Sequence, residues 1–305
     1  MSSAPMKING VAIDDTFAEA FGMSATGVII TADSLKWARI AANTMSGFGT
    51  SVIGCGAECG IDCDVAPDKT PDGRPGVRVL LFGFSPDALT PQLKNRVGQC
   101  VLTSPGSACY NGVEGKTRIK LSSGIRFFGD GNQIAKKLGD RRFWRMPVMD
   151  GEFICEDTTG VVTDAVGGGN LLVLGKDRAG LLETVEKAVE AIAAVPDVIT
   201  PFPGGIVRSG SKVGAKYKGM IASTNDAFCP TLRGTAPKTE LDPDTIAVLE
   251  IVIDGLTSAA VAAAMRAGLK AITDTGAAKG VTRVSAGNYG GKLGQHHYHL
   301  KELVA

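Results

Sequence analysis

The sequence predicts an α+β fold of two tandem ferredoxin-like (split βαβ) lobes, residues 1–147 and 148–305, related by internal duplication. Three observations predict it. The chain has 305 residues, room for two domains of about 150 each. Its halves share a pattern: Asn9-Gly10-Val11-Ala12-Ile13-Asp14-Asp15-Thr16 precedes the apolar run Val28-Ile29-Ile30, and Asp150-Gly151-Glu152-Phe153-Ile154-Cys155-Glu156-Asp157-Thr158 precedes Leu171-Leu172-Val173-Leu174 at nearly the same spacing. Each half then reads β-α-β twice over. Four strands and two helices suit a sandwich with the helices on one face; a single doubly wound α/β sheet is the alternative.

The elements follow in order. After Val28–Ile30, Asp33 or Ser34 caps a first helix that Gly47 ends as a C′ residue. Its counterpart runs from about Leu181 to Val195 and stops at Pro196, with Leu181, Leu182, Val185, Val189 and Ile192 at helical spacing. Val77–Gly83 is a strand ahead of a helix whose stripe is Leu93, Val97, Cys100 and Val101. Thr90-Pro91 suits the start of that helix, where proline's missing N–H costs nothing. The counterparts are the strand Val248–Gly255 and a helix from Thr257 to Thr273. A glycine-containing strand closes each copy, Lys120–Ile125 in one and Thr282–Gly287 in the other. Helices on one face leave the other face of each sheet uncovered, which predicts burial against another sheet or subunit and hence an oligomer.

Composition excludes several classes. Thirty-two Lys and Arg against 31 Asp and Glu leave +1, which argues against a nucleic-acid-binding surface. A hydrophobic share of 44% and a charged share of 21% exclude bulk disorder. Glycine, 40 residues, is about twice its usual frequency and marks many tight turns or close approaches. The longest apolar run, Ala259–Met265, is far too short for a membrane span, and Met1–Gly10 has no apolar core to act as an export signal. Seven cysteines without such a signal read as reduced thiols in a cytoplasm.

Several strings resemble known sites and fall short of them. Gly287-Asn288-Tyr289-Gly290-Gly291-Lys292-Leu293 is one residue too short for a phosphate loop and has Leu293 where the magnesium-binding hydroxyl belongs. Gly54–Gly60 is off the dinucleotide spacing. Cys55, Cys59 and Cys63 recur every four residues without a fourth metal ligand at a standard spacing, so no metal site is assigned. The only histidines, His296, His297 and His299, fit a terminal strand with His297 and His299 on one face.

Glu250 stands apart. Alternation places it between Val248 and Val252 on one strand face, with Leu249, Ile251 and Ile253 on the other. It is either a half-exposed strand glutamate or a desolvated carboxyl whose raised pKa suits acid/base work. Gly47-Phe48-Gly49-Thr50, Pro201-Phe202-Pro203-Gly204-Gly205 and Ser223-Thr224-Asn225-Asp226-Ala227-Phe228-Cys229-Pro230 combine flexible backbone, polar groups and aromatics as a small-molecule site does.

Together these strings resemble one family. Asp14–Phe21, Gly47–Ile53, Thr70–Gly76, Phe127–Gly131, Pro201–Val207, Ser223–Cys229 and Ser285–Gln295 are similar to the matching segments of formylmethanofuran:tetrahydromethanopterin formyltransferase, across nearly the whole chain. The resemblance implies acyl transfer of a formyl group between the amine of methanofuran and N5 of tetrahydromethanopterin, cosubstrates handled without a metal or prosthetic group. It implies homo-oligomers, usually tetramers, with substrates in clefts near subunit contacts. A glutamate in a Glu-Ile-Val-Ile string leads the family's catalysis; here that is Glu250. The near-neutral charge departs from the acidic archaeal members and resembles the methylotrophic subunit of a formyltransferase/hydrolase complex.

On this reading Glu250 shuttles the proton between attacking and leaving nitrogen. Glycine-loop amides and Asn225 face the developing oxyanion, and Phe228 or Tyr289 stacks on a substrate ring. The expected substrate-binding set is Phe48, Gly49, Thr50, Gly204, Gly205, Ser223, Asn225, Asp226, Phe228, Asn288, Tyr289, Lys292 and Gln295. The rival readings are a non-catalytic scaffold subunit of such a complex and a hydrolase in its own right.

Overall fold

The computed structural model describes residues 6–304; the first five residues of the stretch read for an export signal lie outside them. Two short strands, β1 (Met6–Ile8) and β2 (Val11–Ile13), form a hairpin across Asn9-Gly10, both with positive φ. The long strand β3 (Phe17–Thr31) leads into α1 (Leu35–Ser46), capped by Ser34, whose Oγ accepts from the Trp37 N–H. Gly47 ends α1 as expected but with φ −52°; the left-handed residue is Phe48, φ 57°. A short turn, α2 (Val52–Cys55), precedes the hairpin β4 (Glu58–Val65) and β5 (Gly76–Gly83).

Helix α3 (Pro86–Arg96) corrects one expectation. It starts a turn before Thr90-Pro91, because Ser85 accepts from the Ala88 N–H and Pro86 takes the first helical position. Pro91 therefore lies inside the helix. The helix relaxes into a π turn at Val97–Val101, and Leu93, Val97 and Val101 of the expected stripe are buried. The next strands are β6 (Ala108–Asn111), β7 (Thr117–Lys120), β8 (Ile134–Leu138), β9 (Arg141–Val148) and β10 (Gly151–Glu156). The strand expected over Lys120–Ile125 is a second correction. Only Lys120 is extended; Ser122 accepts from Ile125 and Arg126 and bends the chain into a 3-10 turn.

The second long strand, β11 (Thr158–Gly175), precedes α4 (Arg178–Ala193), which Asp177 caps through the N–H groups of Ala179 and Gly180. The buried stripe of α4 is Leu181, Val185, Ala188 and Ile192; Leu182 faces solvent, contrary to expectation. After β12 (Val198–Ile199) comes a long excursion holding only β13 (Lys212–Val213), β14 (Ala222–Ser223) and isolated 3-10 turns. Then follow β15 (Ala247–Gly255), α5 (Ser258–Thr275, capped by Thr257), β16 (Val281–Ser285), β17 (His296–His299) and the short α6 (Leu300–Leu303).

The chain forms two compact units: Met23–Ala165, and the described residues up to Gly22 with those from Val166 onward. The unit boundaries fall inside β3 and β11. This division differs from the halves 1–147 and 148–305, because β2 pairs with β16, and β7 pairs with the start of β11. In the unit Met23–Ala165, β6, β3, β5 and β4 lie side by side in that order, all antiparallel. In the other unit β16, β11, β15 and β12 repeat the arrangement. Parallel pairs of β6 with β10 and of β2 with β16 make the sheet mixed.

Each unit has its own core. Val28, Ile30, Val79, Leu81, Leu89 and Leu93 anchor one. Leu171, Val173, Ile251 and Ile253 pack against Leu181, Val185, Val261 and Leu269 in the other. The opposite face of β11 and β15 is not left bare. Leu172, Leu174 and Val248 are covered by Phe228 and Leu241 from the excursion before β15.

Candidate active site

Glu250 lies mid-strand in β15, on the face that this excursion covers. It pairs in register with Leu172 of β11, and on its other side its backbone exchanges two hydrogen bonds with Val207, at 2.9 and 2.7 Å. The side chain is half-buried in a cavity of 40 Å³ whose walls include Leu172, Val207, Asn225, Phe228 and Cys229. Burial alone pushes its pKa up to about 7, because the apolar wall disfavours the charged form. Of the two readings of Glu250, this burial favours the desolvated carboxyl.

A cleft of 590 Å³ shares Asn225 and Phe228 with that cavity and continues along Thr16, Arg283, Asn288 and Tyr289. The Tyr289 hydroxyl is raised above its usual pKa, first by burial and then by the negative charges of Glu250 and Glu19. Its ring sits 5.9 Å from that of Phe21. Asn288 donates to Thr16 Oγ1 at 2.9 Å and accepts from the Gly290 N–H. Polar atoms and aromatic faces thus line a cleft beside a carboxyl that can hold or release a proton near neutrality.

Family models match this chain in two pieces: one described as formylmethanofuran-tetrahydromethanopterin formyltransferase over residues 6–148, and one described as FTR, proximal lobe, over 151–303. The chain belongs to the formylmethanofuran-tetrahydromethanopterin formyltransferase family. It is 62% identical over 302 residues to a subunit of the formyltransferase/hydrolase complex of Methylorubrum extorquens, covering 97% of each chain. It is 58% identical to the formylmethanofuran--tetrahydromethanopterin formyltransferase of Methylococcus capsulatus, covering 98% of this chain and all of that one. The crystal structure of the Methylorubrum extorquens formyltransferase/hydrolase complex with methylofuran contains a chain that matches at TM-score 0.96 and 60% identity, covering 99% of both.

Against this family background the expected residues divide. Asn225, Phe228, Asn288 and Tyr289 line the cleft. Ser223 is turned to the backbone, donating to the Gly214 carbonyl at 2.7 Å. Asp226 pairs with Lys212 at 2.7 Å, and the hydrogen bond from that ammonium holds its carboxyl below the usual range. Gln295 accepts from the Gly22 N–H at 2.9 Å, so its side chain ties the loop to β3. Lys292 is exposed. Gly204 is open to solvent, whereas a Cβ on Gly205 would come within 2.6 Å of Val189. Phe48, Gly49 and Thr50 belong to the unit Met23–Ala165. There Arg96 donates to the Gly47 and Phe48 carbonyls, Phe48 is 79% exposed, and Gly49 packs on Cys59, where a Cβ would not fit. Thr50 Oγ1 lies 3.6 Å from the Cys55 sulfur.

The terminal histidines behave as read. His297 and His299 share one face of β17, against the Phe17 ring at 4.8 and 5.1 Å. Among the described residues no three His, Cys, Asp or Glu side chains gather as metal ligands.

One residue the sequence reading passed over is Glu19. It is fully buried, and its carboxylate accepts four backbone N–H groups of the loop Gly287–Gln295. Tyr289 and Gly291 donate to Oε2 at 2.6 and 2.8 Å; Leu293 and Gly294 donate to Oε1 at 2.6 and 2.7 Å. Against the cost of burial these bonds bring its pKa down to about 2. The signal was present: Glu19 interrupts the strand string Phe17-Ala18-Glu19-Ala20-Phe21 as Glu250 interrupts its own. The N–H groups of Tyr289, Gly291, Leu293 and Gly294 are thereby committed to Glu19. Asn225 lines the cavity beside Glu250.

Proposed function

We propose that this protein transfers a formyl group between N5 of tetrahydromethanopterin and the amine of methanofuran or an analogue, with Glu250 as the acid/base. The observation that carries this reading is the place of the Glu250 carboxyl between an apolar wall and the polar cleft, where burial raises its pKa to about 7. An amine nitrogen attacks the formyl carbon, the carbonyl π pair moves to oxygen, and a tetrahedral oxyanion forms. Glu250 as carboxylate takes the proton from the attacking nitrogen. As carboxylic acid it returns that proton to the leaving nitrogen while the C–N bond breaks. Asn225 donates to the oxyanion, which is worth about 3 kcal/mol for a preorganised donor. Phe228 and Tyr289 offer ring faces to the substrates.

Replacing Glu250 by Gln keeps the shape and removes the proton shuttle. Turnover is expected to fall by at least about a hundredfold, within the usual range for acid/base help, with the dissociation constants of both coenzymes little changed. Unchanged turnover removes Glu250 from the mechanism. A formyl-transfer assay on the isolated chain separates this reading from the scaffold and hydrolase rivals.

The repeated strand order supports reading the two lobes as ferredoxin-like copies. The likeness to a chain of the Methylorubrum extorquens formyltransferase/hydrolase complex supports a hydrolase partner, and the seven free cysteines fit a cytoplasmic site of action. We also infer a homo-oligomer.

A further inference from the structure

The loop Gly287–Gln295 has the look of an anion cradle, yet its own chain fills it. Gly290 and Gly291 both have positive φ, at 86° and 70°, and turn the backbone so that N–H groups converge. The group they converge on is the Glu19 carboxylate, two amides to each oxygen. Gly294 completes the fit: a Cβ there would lie 2.4 Å from the Ala20 carbonyl oxygen and 2.9 Å from Glu19 Cγ. The outer side of the same loop presents Asn288 and Tyr289 to the cleft that adjoins Glu250.

We propose that Glu19 is a positioning residue: its buried carboxylate fixes the shape of this loop and so sets Asn288 and Tyr289 for coenzyme binding. The inference deepens the reading of the cleft as the coenzyme site and rests on it. Four amides on one buried anion are charge-assisted bonds, stronger than neutral ones and hard to satisfy any other way. A glutamine in the same place turns an NH2 group toward two N–H donors, so one pair of bonds is lost and donors face donors. Because Glu19 titrates near 2, its contribution is constant across the working pH range, unlike that of Glu250.

The test is calorimetric binding of tetrahydromethanopterin and of methanofuran, measured separately, to wild-type protein and to Glu19→Gln. The expected result is a dissociation constant raised about tenfold or more for at least one coenzyme, with one ligand still bound per chain. A constant unchanged for both overturns the proposal, whether or not the stoichiometry falls, since misfolded protein lowers stoichiometry without altering affinity. Should Glu19→Gln fail to fold, Glu19→Asp keeps the charge with a shorter reach. It is expected to weaken binding by a smaller factor, and unchanged affinity again overturns the assignment. Wild-type protein that binds neither coenzyme overturns the cleft reading itself, a result distinct from the failure of Glu19 alone.

Discussion

Two strand glutamates in this chain experience opposite environments. Glu19 is met by four donors and held far down the acid range; Glu250 is met by an apolar wall and pushed up to about 7. The consequences for stability are opposite in sign. A carboxyl whose folded pKa is raised binds more protons in the folded state, so its contribution is fully present below about 4.5 and is lost as pH rises through about 7. Above that, ionising Glu250 costs up to about 3 kcal/mol. Glu250→Gln is therefore expected to unfold at higher temperature than wild type at pH 8 and at nearly the same temperature at pH 5, by calorimetric scans. An equal Tm difference at both values contradicts a desolvated carboxyl. Glu19 contributes above about 4.5, and that contribution is lost as pH falls through about 2.

At the scale of elements, caps and periodicity were the legible part. Of the two candidates Asp33 and Ser34 it is Ser34 that caps α1, Thr257, read as the start of its helix, is the cap one residue before it, and Glu250 shares its strand face with Val248. The errors have local causes. Thr90-Pro91 looked like a helix start because proline is favoured there, but Ser85-Pro86 offers the same signal one turn earlier. Pro91 therefore removes an internal N–H that would otherwise bond to the Asp87 carbonyl. Pro91→Ala is expected to raise stability by about 1 kcal/mol or more, and Ser85→Ala to lower it by about 1 kcal/mol, both read from denaturant midpoints. The closing strand of the first copy is the short Ala108–Asn111, too brief to show alternation. Lys120–Ile125 mimics a strand until Ser122 bends it.

For the whole molecule, uncovered sheet faces were the sequence's reason to expect an oligomer. In the unit holding Glu250 the excursion between β12 and β15 covers part of that face and walls the cavity. That excursion itself exposes Val213, Tyr217, Met220 and Ile221, and the other unit exposes apolar side chains too. In the unit Met23–Ala165, Phe127 and Phe128 are 63% and 67% exposed, and Ile134, Leu138 and Met149 are also bare. Side chains of that size in one stretch favour burial against another chain. Sedimentation velocity at micromolar protein is expected to give a homo-oligomer; a stable monomer at that concentration counts against it.

The sequence by itself determined the starts of α1 and α5 to within a residue and the alternation that singled out Glu250, because these depend on neighbours three or four positions away at most. Tertiary structure decided the rest. Whether Glu250 is dry depends on Asn225 and Phe228 folding back over β15, and what the glycine-rich loop holds depends on Glu19, some 270 residues earlier in the chain. A side chain's dielectric surroundings and its hydrogen-bond donors come from segments remote in sequence, so only the packed chain shows which carboxyl keeps its proton and which gives it up.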